Sequence, residues 1–260
     1  MISKLLYLVK VVILVCLWST SSAALVLEDI NKVELEKLIS GKKVAYYVGS
    51  FDPLHKGHEQ NIRDIVDQGI ADFCLVCPVW GGDGYKDRTD VGIRLNMLYV
   101  LYEKSPHVIV TRLSPGEMQS LLTVDCSETV DGKRKVKSRF SGAQYVGLLG
   151  SDVALDLIGD NKKCSVFMRG IKIPTKYSSN TIGSIMALPV SEFIVYQRSG
   201  DKLTDLGSSI CGRSVTVMPL SHYADVSSTK IRGNIKEGIF DASLLSSEIL
   251  GIIKKEKLYG

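Results

Sequence analysis

At 260 residues the chain is long enough for one α/β domain with insertions or for two small domains. Its composition, 45% hydrophobic and 23% charged, is ordinary for a globular protein. A formal net charge of +4 is too weak to mark a polyanion-binding face, which leaves a nucleic-acid partner without compositional support.

Residues 1–24, "MISKLLYLVKVVILVCLWSTSSAA", carry Lys4 and Lys10, then the apolar run Val11–Trp18, then small residues ending at Ala23 and Ala24. That is the order of a secretory signal peptide, and the apolar stretch is shorter than the roughly 20 residues that span a bilayer. The expectation is an exported protein (periplasmic or secreted), or one associated with a membrane through this leader, and a cytoplasmic one if the leader is not functional. After the leader come Cys74, Cys77, Cys126, Cys164 and Cys211, an odd number that argues against a disulfide scaffold. Cys74 and Cys77 have CxxC spacing but lie in "DFCLVCPV", which reads as a buried strand. Residues three apart on a strand point to opposite faces, so both are expected as small buried hydrophobes.

From residue 41 onward the pattern is that of a single domain running to residue 260. Val44–Val48 reads as a buried strand ending at Gly49. Helical spacing follows from Lys56, with Ile62, Ile65 and Val66, and stops at Gly69. Phe73–Pro78 is the next strand. A glycine-rich loop leads to Asp90, a candidate cap for a helix carrying Ile93, Met97, Leu98 and Leu101. Val108–Thr111 is strand-like. Residues 114–142 are polar and read as an insertion, partly helical near Glu117–Leu122 and otherwise loop. Tyr145–Leu149 is a strand followed by Gly150-Ser151-Asp152 and a short helix. A second irregular stretch occupies residues 169–190. Phe193–Tyr196 and Val215–Val217 are strands, and the chain from Ser228 is helical, with a break near Gly238 and a last helix from Ser246 to Lys257. Alternating strands and helices predict an α/β fold, a Rossmann-like parallel sheet with helices on both faces and helices at the C-terminal end.

The segment "YYVGSFDPLHKGHEQNIRDIV", residues 46–66, concentrates chemistry at a strand-to-helix junction. In an open parallel sheet ligands gather at the carboxyl ends of strands, and the N-terminus of the next helix offers free N–H groups to an anion. Gly49 and Ser50 allow close backbone approach. Phe51, Asp52 and Pro53 complete the turn, with Asp52 kept extended by the proline after it. His55 and His58, three apart, project from one side of the helix start, and Gly57 leaves room for a flat ring. A second such junction is "DVSSTKIRGNIKEG", residues 225–238. Ser227 or Ser228 is a natural N-cap, Thr229 sits in the first turn, and Arg232 lies four residues after Ser228 on the same face. His107 and His222 belong to neither segment and read as structural or surface residues.

"GSFDPLHKGH" resembles the signature of the HxGH-motif nucleotidylyltransferase superfamily, and "SSTKIR" is similar to that family's second signature. The resemblance implies that His55 and His58 stabilise charge on the α-phosphate of a nucleoside triphosphate. It implies that Arg232 acts with Ser227, Ser228 and Thr229 on the β- and γ-phosphates. Gly49, Ser50, Phe51, Asp52 and Gly57 would form the nucleotide-binding loop. "YKDRTDVGIRLNML" and "YVGLLGSDVALDLI" are similar to segments of nicotinate-nucleotide adenylyltransferases. They imply that Lys86 and Arg94 lie near the substrate phosphate or leaving group and that Asp152 meets the nucleotide ribose or base. "FIVYQRSGD" resembles a later strand ending in an arginine, here Arg198. The closing "LYG" also fits the pyridine-mononucleotide branch. The activity implied is transfer of AMP from ATP to a phosphorylated small-molecule acceptor, nicotinate or nicotinamide mononucleotide first, with release of pyrophosphate. Mg²⁺ would be held through the ATP phosphates rather than by a protein metal site, and a homo-oligomer is compatible with the resemblance. Two alternatives stay open: the same chemistry with another acceptor or with CTP, and an exported nucleotide-binding protein without turnover.

Overall fold

The computed structural model describes residues 25–26, 32–80, 88–130, 133–158 and 188–260. The leader, Lys86, Cys164 and residues 169–187 of the second irregular stretch lie outside the described residues. In chain order the elements are β1 (Leu25–Val26), α1 (Lys32–Ile39), β2 (Lys43–Gly49), α2 (Lys56–Asp67), β3 (Phe73–Pro78), α3 (Val91–Tyr102), β4 (Val108–Val110) and α4 (Pro115–Leu122). They continue with β5 (Thr123–Val130), β6 (Lys133–Ser138), β7 (Gln144–Gly150), α5 (Ser151–Ile158), β8 (Val190–Tyr196), β9 (Ser209–Ile210), β10 (Arg213–Met218), α6 (Ser228–Lys236) and α7 (Ser247–Lys255).

The strands form one main sheet in the order β1-β4-β3-β2-β7-β8-β10-β9, and every pairing is parallel except β10 with β9. Helices cover both faces. One core joins Tyr46, Val48 and Leu75 to Leu35 and Ile39 of α1, Met118 and Leu122 of α4 and Leu157 of α5. The other joins Ala45, Tyr47 and Val76 to Ile62 and Ile65 of α2, Leu98 of α3, Ile231 of α6 and Ile249 of α7. A strand buried on both faces cannot alternate apolar with polar residues, which is why β2 and β3 read as continuous apolar runs. From β2 the chain winds outward through β3 to β4, then returns to lay β7 against the other side of β2. The switch point therefore falls between the carboxyl ends of β2 and β7, where a doubly wound sheet opens a crevice.

Three expectations change. The 114–142 insertion is not mostly loop: α4 has a full capping box between Ser114 and Glu117, and β5 and β6 pair antiparallel as a separate two-stranded ribbon. The domain starts before residue 41, because α1 buries Leu35 and Ile39 in the core and β1 pairs with β4. Cys211 is disulfide-bonded, a bridge that the odd cysteine count obscured. Cys74, Cys77 and Cys126 are free; Cys74 and Cys77 are buried in separate cores, as expected.

Candidate active site

The loop between β2 and α2 is held by its own aromatic ring and by donors from distant segments. A side chain on Gly49 would place its Cβ 2.9 Å from the Phe51 ring, so glycine here lets that ring fold back against the strand end. Phe51 is fully buried with φ of +49°, a left-handed conformation that a bulky residue keeps only where its surroundings impose it. The loop carbonyls are then occupied in turn. Arg94 Nη1 donates to the Ser50 carbonyl at 2.7 Å, Arg232 Nη1 to the Asp52 carbonyl at 2.6 Å, and Ser228 Oγ to the Pro53 carbonyl at 3.1 Å. The Asp52 carboxylate is buried as well, accepting from the Thr89 N–H at 3.1 Å and from the Tyr259 hydroxyl at 2.6 Å.

His55 is the N-cap of α2 but makes no capping bond with its side chain. Its ring turns instead onto His58, and the two imidazoles stack with centroids 3.7 Å apart and planes 24° apart. Phe51 meets His58 edge-on at 5.1 Å. Gly57 leaves this pair its room, since a Cβ there would lie 3.1 Å from the His55 ring and 3.3 Å from the Tyr223 carbonyl, closer than such contacts usually come. The flat ring expected beside Gly57 is that of His55 itself. Burial, with Arg198 adding, lowers the His55 pKa from 6.5 to about 3. Burial, then His55, then Arg198 hold His58 well below its ordinary value. Both rings are thus neutral at pH 7. Their Nδ1 atoms are buried without a hydrogen-bond partner, so a proton there would be an orphaned donor. The neutral tautomer that avoids this carries its proton on Nε2, where it can serve an anion.

The second junction supplies charge and hydroxyls. Ser227 is the N-cap of α6, its Oγ accepting from the Lys230 N–H at 3.2 Å. Arg232 approaches Thr229 Oγ1 at 3.5 Å while it reaches across to Asp52. One cavity of about 270 Å³ is lined by both histidines, by Arg232 and by all nine residues expected to bind nucleotide. Asp152, in the first turn of α5, faces it from the end of β7 and pairs with Arg198 Nη1 at 3.4 Å.

Arg94 departs from expectation. It is fully buried, and Nε, Nη1 and Nη2 donate to the carbonyls of Thr89, Ser50 and Trp80 at 2.8, 2.7 and 3.3 Å. It clamps the loops behind the cavity and is not among the lining residues. The cavity wall contains instead Arg88, whose Nε donates to Ser50 Oγ at 3.1 Å, and Arg198. Tyr47 and Asn61 join them, with Asn61 Nδ2 donating to the Tyr47 hydroxyl at 3.2 Å. Burial raises the Tyr47 pKa to about 12, so this phenol stays protonated. Spacing could have found Asn61, three residues after His58 on the same helix face. Arg88 and Arg198 lie in segments the sequence singles out, but their spacing gives no sign that they face the cavity.

A family model described as cytidylyltransferase-like matches residues 46–234. A probable nicotinate-nucleotide adenylyltransferase of Fusobacterium nucleatum is 21% identical over 217 residues, covering 82% of this chain and 98% of that protein. A protein of the same description from Neisseria meningitidis is 25% identical over 216 residues, covering 77% of this chain and 90% of its own length. Among solved structures, Plasmodium falciparum nicotinic acid mononucleotide adenylyltransferase complexed with NaAD superposes with a TM-score of 0.57 at 17% identity, covering 84% of this chain and 97% of that one. The mostly parallel α/β sheet is thus the fold of that enzyme.

Proposed function

Because the chain belongs to the cytidylyltransferase-like family, we propose that it transfers AMP from ATP to nicotinate mononucleotide, or to nicotinamide mononucleotide, with release of pyrophosphate. The observation that carries this reading is the single cavity shared by the stacked histidines and Arg232. The names of the relatives support the acceptor and the nucleotide.

In this reaction a phosphate oxygen of the acceptor attacks the α-phosphorus of ATP, the bond to the bridging oxygen breaks, and pyrophosphate leaves. The nucleophile is already an anion, so the site has no need of a general base. What it must supply is alignment and compensation of the negative charge that develops. His55 and His58 supply donors in a dry environment, where each hydrogen bond to an oxyanion is worth most. Arg232, the Thr229 hydroxyl and the free N–H groups at the start of α6 receive the departing phosphates. Arg88 and Arg198 add positive charge along the rest of the wall.

Mg²⁺ binds few protein groups when phosphates and water can fill its octahedron. Among the described residues no three His, Cys, Asp or Glu side chains form a metal cage, and Asp52 has both carboxylate oxygens engaged. Asp152, half-exposed and facing the cavity, pairs with Arg198 through Oδ2 and is the carboxylate here whose other oxygen fits an ion carried in on the triphosphate. Bound there, Mg²⁺ would neutralise phosphate charge. We propose further that the protein is exported; the leader supports this, and so does the disulfide at Cys211, a bond characteristic of oxidising compartments.

Incubating the purified protein with ATP, Mg²⁺ and a panel of phosphorylated acceptors, with pyrophosphate measured, tests the reading. Nicotinate or nicotinamide mononucleotide should give the highest turnover. Pyrophosphate with a different acceptor alone would overturn the substrate assignment, and none with any acceptor would overturn the enzymatic reading.

A further inference from the structure

The buried carboxylate of Asp52 lies at the centre of contacts that reach the cavity from behind. Its peptide carbonyl receives Arg232, and its side chain receives the Thr89 N–H and, at 2.6 Å, the hydroxyl of Tyr259. Tyr259 lies four residues beyond α7 and 207 positions from Asp52. It does not line the cavity. One end of this bridge and the neighbour of the other sit in backbone that side chains rarely adopt: Tyr259 has φ of +66°, and Phe51, next to Asp52, has φ of +49°. Left-handed conformations in non-glycine residues persist where neighbouring contacts over-determine them, and they concentrate at functional sites. Burial, then the hydrogen bond to Asp52, raise the Tyr259 pKa, so its O–H stays a donor to the carboxylate. No other donor to Asp52 Oδ1 is seen among the described residues, so without Tyr259 half of this buried carboxylate would lack a partner.

We infer that Tyr259 is a positioning residue, a clasp that fixes the Asp52 carboxylate and thereby sets the place of Arg232 against the bound triphosphate. The inference rests on the adenylyl-transfer reading for its effect on rate, but the clasp can be judged on binding alone. Arg232 meets Asp52 through the main chain, and the carboxylate bound at both oxygens anchors the loop that carries this carbonyl, so losing the Tyr259 bond loosens the peptide that Arg232 grips. A displacement of about 1 Å in such a group is enough to cost one to two orders of magnitude in turnover.

The test compares Tyr259→Phe, Asp52→Asn and the double variant. Tyr259→Phe keeps the ring and its packing and deletes the hydroxyl, with its bond to Asp52 and its contact with the Thr89 side chain. The readouts are kcat and KM with ATP and nicotinate mononucleotide, the dissociation constant of a non-hydrolysable ATP analogue, and the imidazole NMR signals of His55 and His58. The expected result for Tyr259→Phe is a kcat about tenfold lower with KM for the acceptor little changed, analogue binding about tenfold weaker, and shifted His55 and His58 signals. In the Asp52→Asn background Tyr259→Phe should add almost nothing, because the two residues act as one unit. A purely structural role would instead lower the melting temperature and leave these readouts unchanged. Wild-type analogue affinity, kcat and histidine signals in a folded Tyr259→Phe variant would overturn the clasp, as would full additivity of the two changes. If the wild-type protein transfers AMP to no acceptor, the functional reading fails while analogue affinity and the histidine signals still decide the clasp.

Discussion

The starts of α2 and α6 face the same cavity and are built on opposite principles. At α2 the polar groups are aromatic and drier: His55 is buried, His58 is half-buried against Phe51 and His55 with its Nδ1 shut from solvent, and both rings are neutral because charge is penalised there. At α6 the groups are more solvated and either cationic or hydroxylic: Ser227, Ser228 and Thr229 are half-buried or exposed, and Arg232 donates to the Asp52 carbonyl. A helix N-terminus attracts anions in both cases. The dry one is suited to charge that appears only in the transition state, since its donors cost nothing to reorganise. The wet one is suited to charge already present in the ground state and to a product that must leave.

The comparison is easiest to break at His58. His58→Ala should lower turnover by two to three orders of magnitude, about 3–4 kcal/mol of transition-state stabilisation, in a protein whose circular dichroism is unchanged. Near-normal turnover would remove the dry site from the chemistry.

Acid should expose the same contrast. The His55 pKa drops from 6.5 to about 3 on folding, so between these values the unfolded chain binds the extra proton. His55 therefore adds its full stability above pH 6.5 and loses it as pH falls, at about 1.4 kcal/mol per pH unit; His58 acts in the same direction. Denaturant titrations from pH 7 to pH 4 should show this slope, and a His55→Asn/His58→Asn variant should flatten it. An equal slope in that variant would mean that the buried pair does not govern acid stability.

Gly57→Ala tests whether the stack itself matters. Its Cβ, 3.1 Å from the His55 ring, must push that ring aside, and kcat should fall about tenfold through misplacement with little change in affinity for ATP. At the wet start the smallest effect is expected. Ser227→Ala removes the α6 cap and should cost about 1 kcal/mol of stability, with a comparatively minor effect on turnover.

Much of the site is legible in the sequence because two short segments each encode a strand end or cap, a helix start and the side chains that project from it. His55 and His58 follow from local geometry at a strand end, whereas the place of Arg232 at the same site follows from the resemblance of its segment to the second signature. Phe73–Pro78 is recovered to the residue because a strand buried on both faces is an unbroken apolar run. Residues whose role depends on direction rather than spacing were not legible. Arg94 has the chemistry of a phosphate ligand, but α3 turns it inward beside buried Leu95, Met97 and Leu98, where only backbone carbonyls can satisfy it. The ribbon of β5 and β6 stands apart from the main sheet and carries little apolar pattern; the Asp131-Gly132 pair in the sequence was its available signal. Helix α1 buries only Leu35 and Ile39, too few apolar positions to stand out among its charges. The link between Tyr259 and Asp52 spans 207 positions and leaves no local trace.

A crystal structure with a non-hydrolysable ATP analogue and Mg²⁺ tests the shared cavity most directly. The expected result is one triphosphate with its α-phosphate within hydrogen-bond reach of His58 and its outer phosphates at Arg232 and the start of α6. An analogue that contacts only one of the two helix starts, or that binds outside the cavity between β2 and β7, would contradict the account.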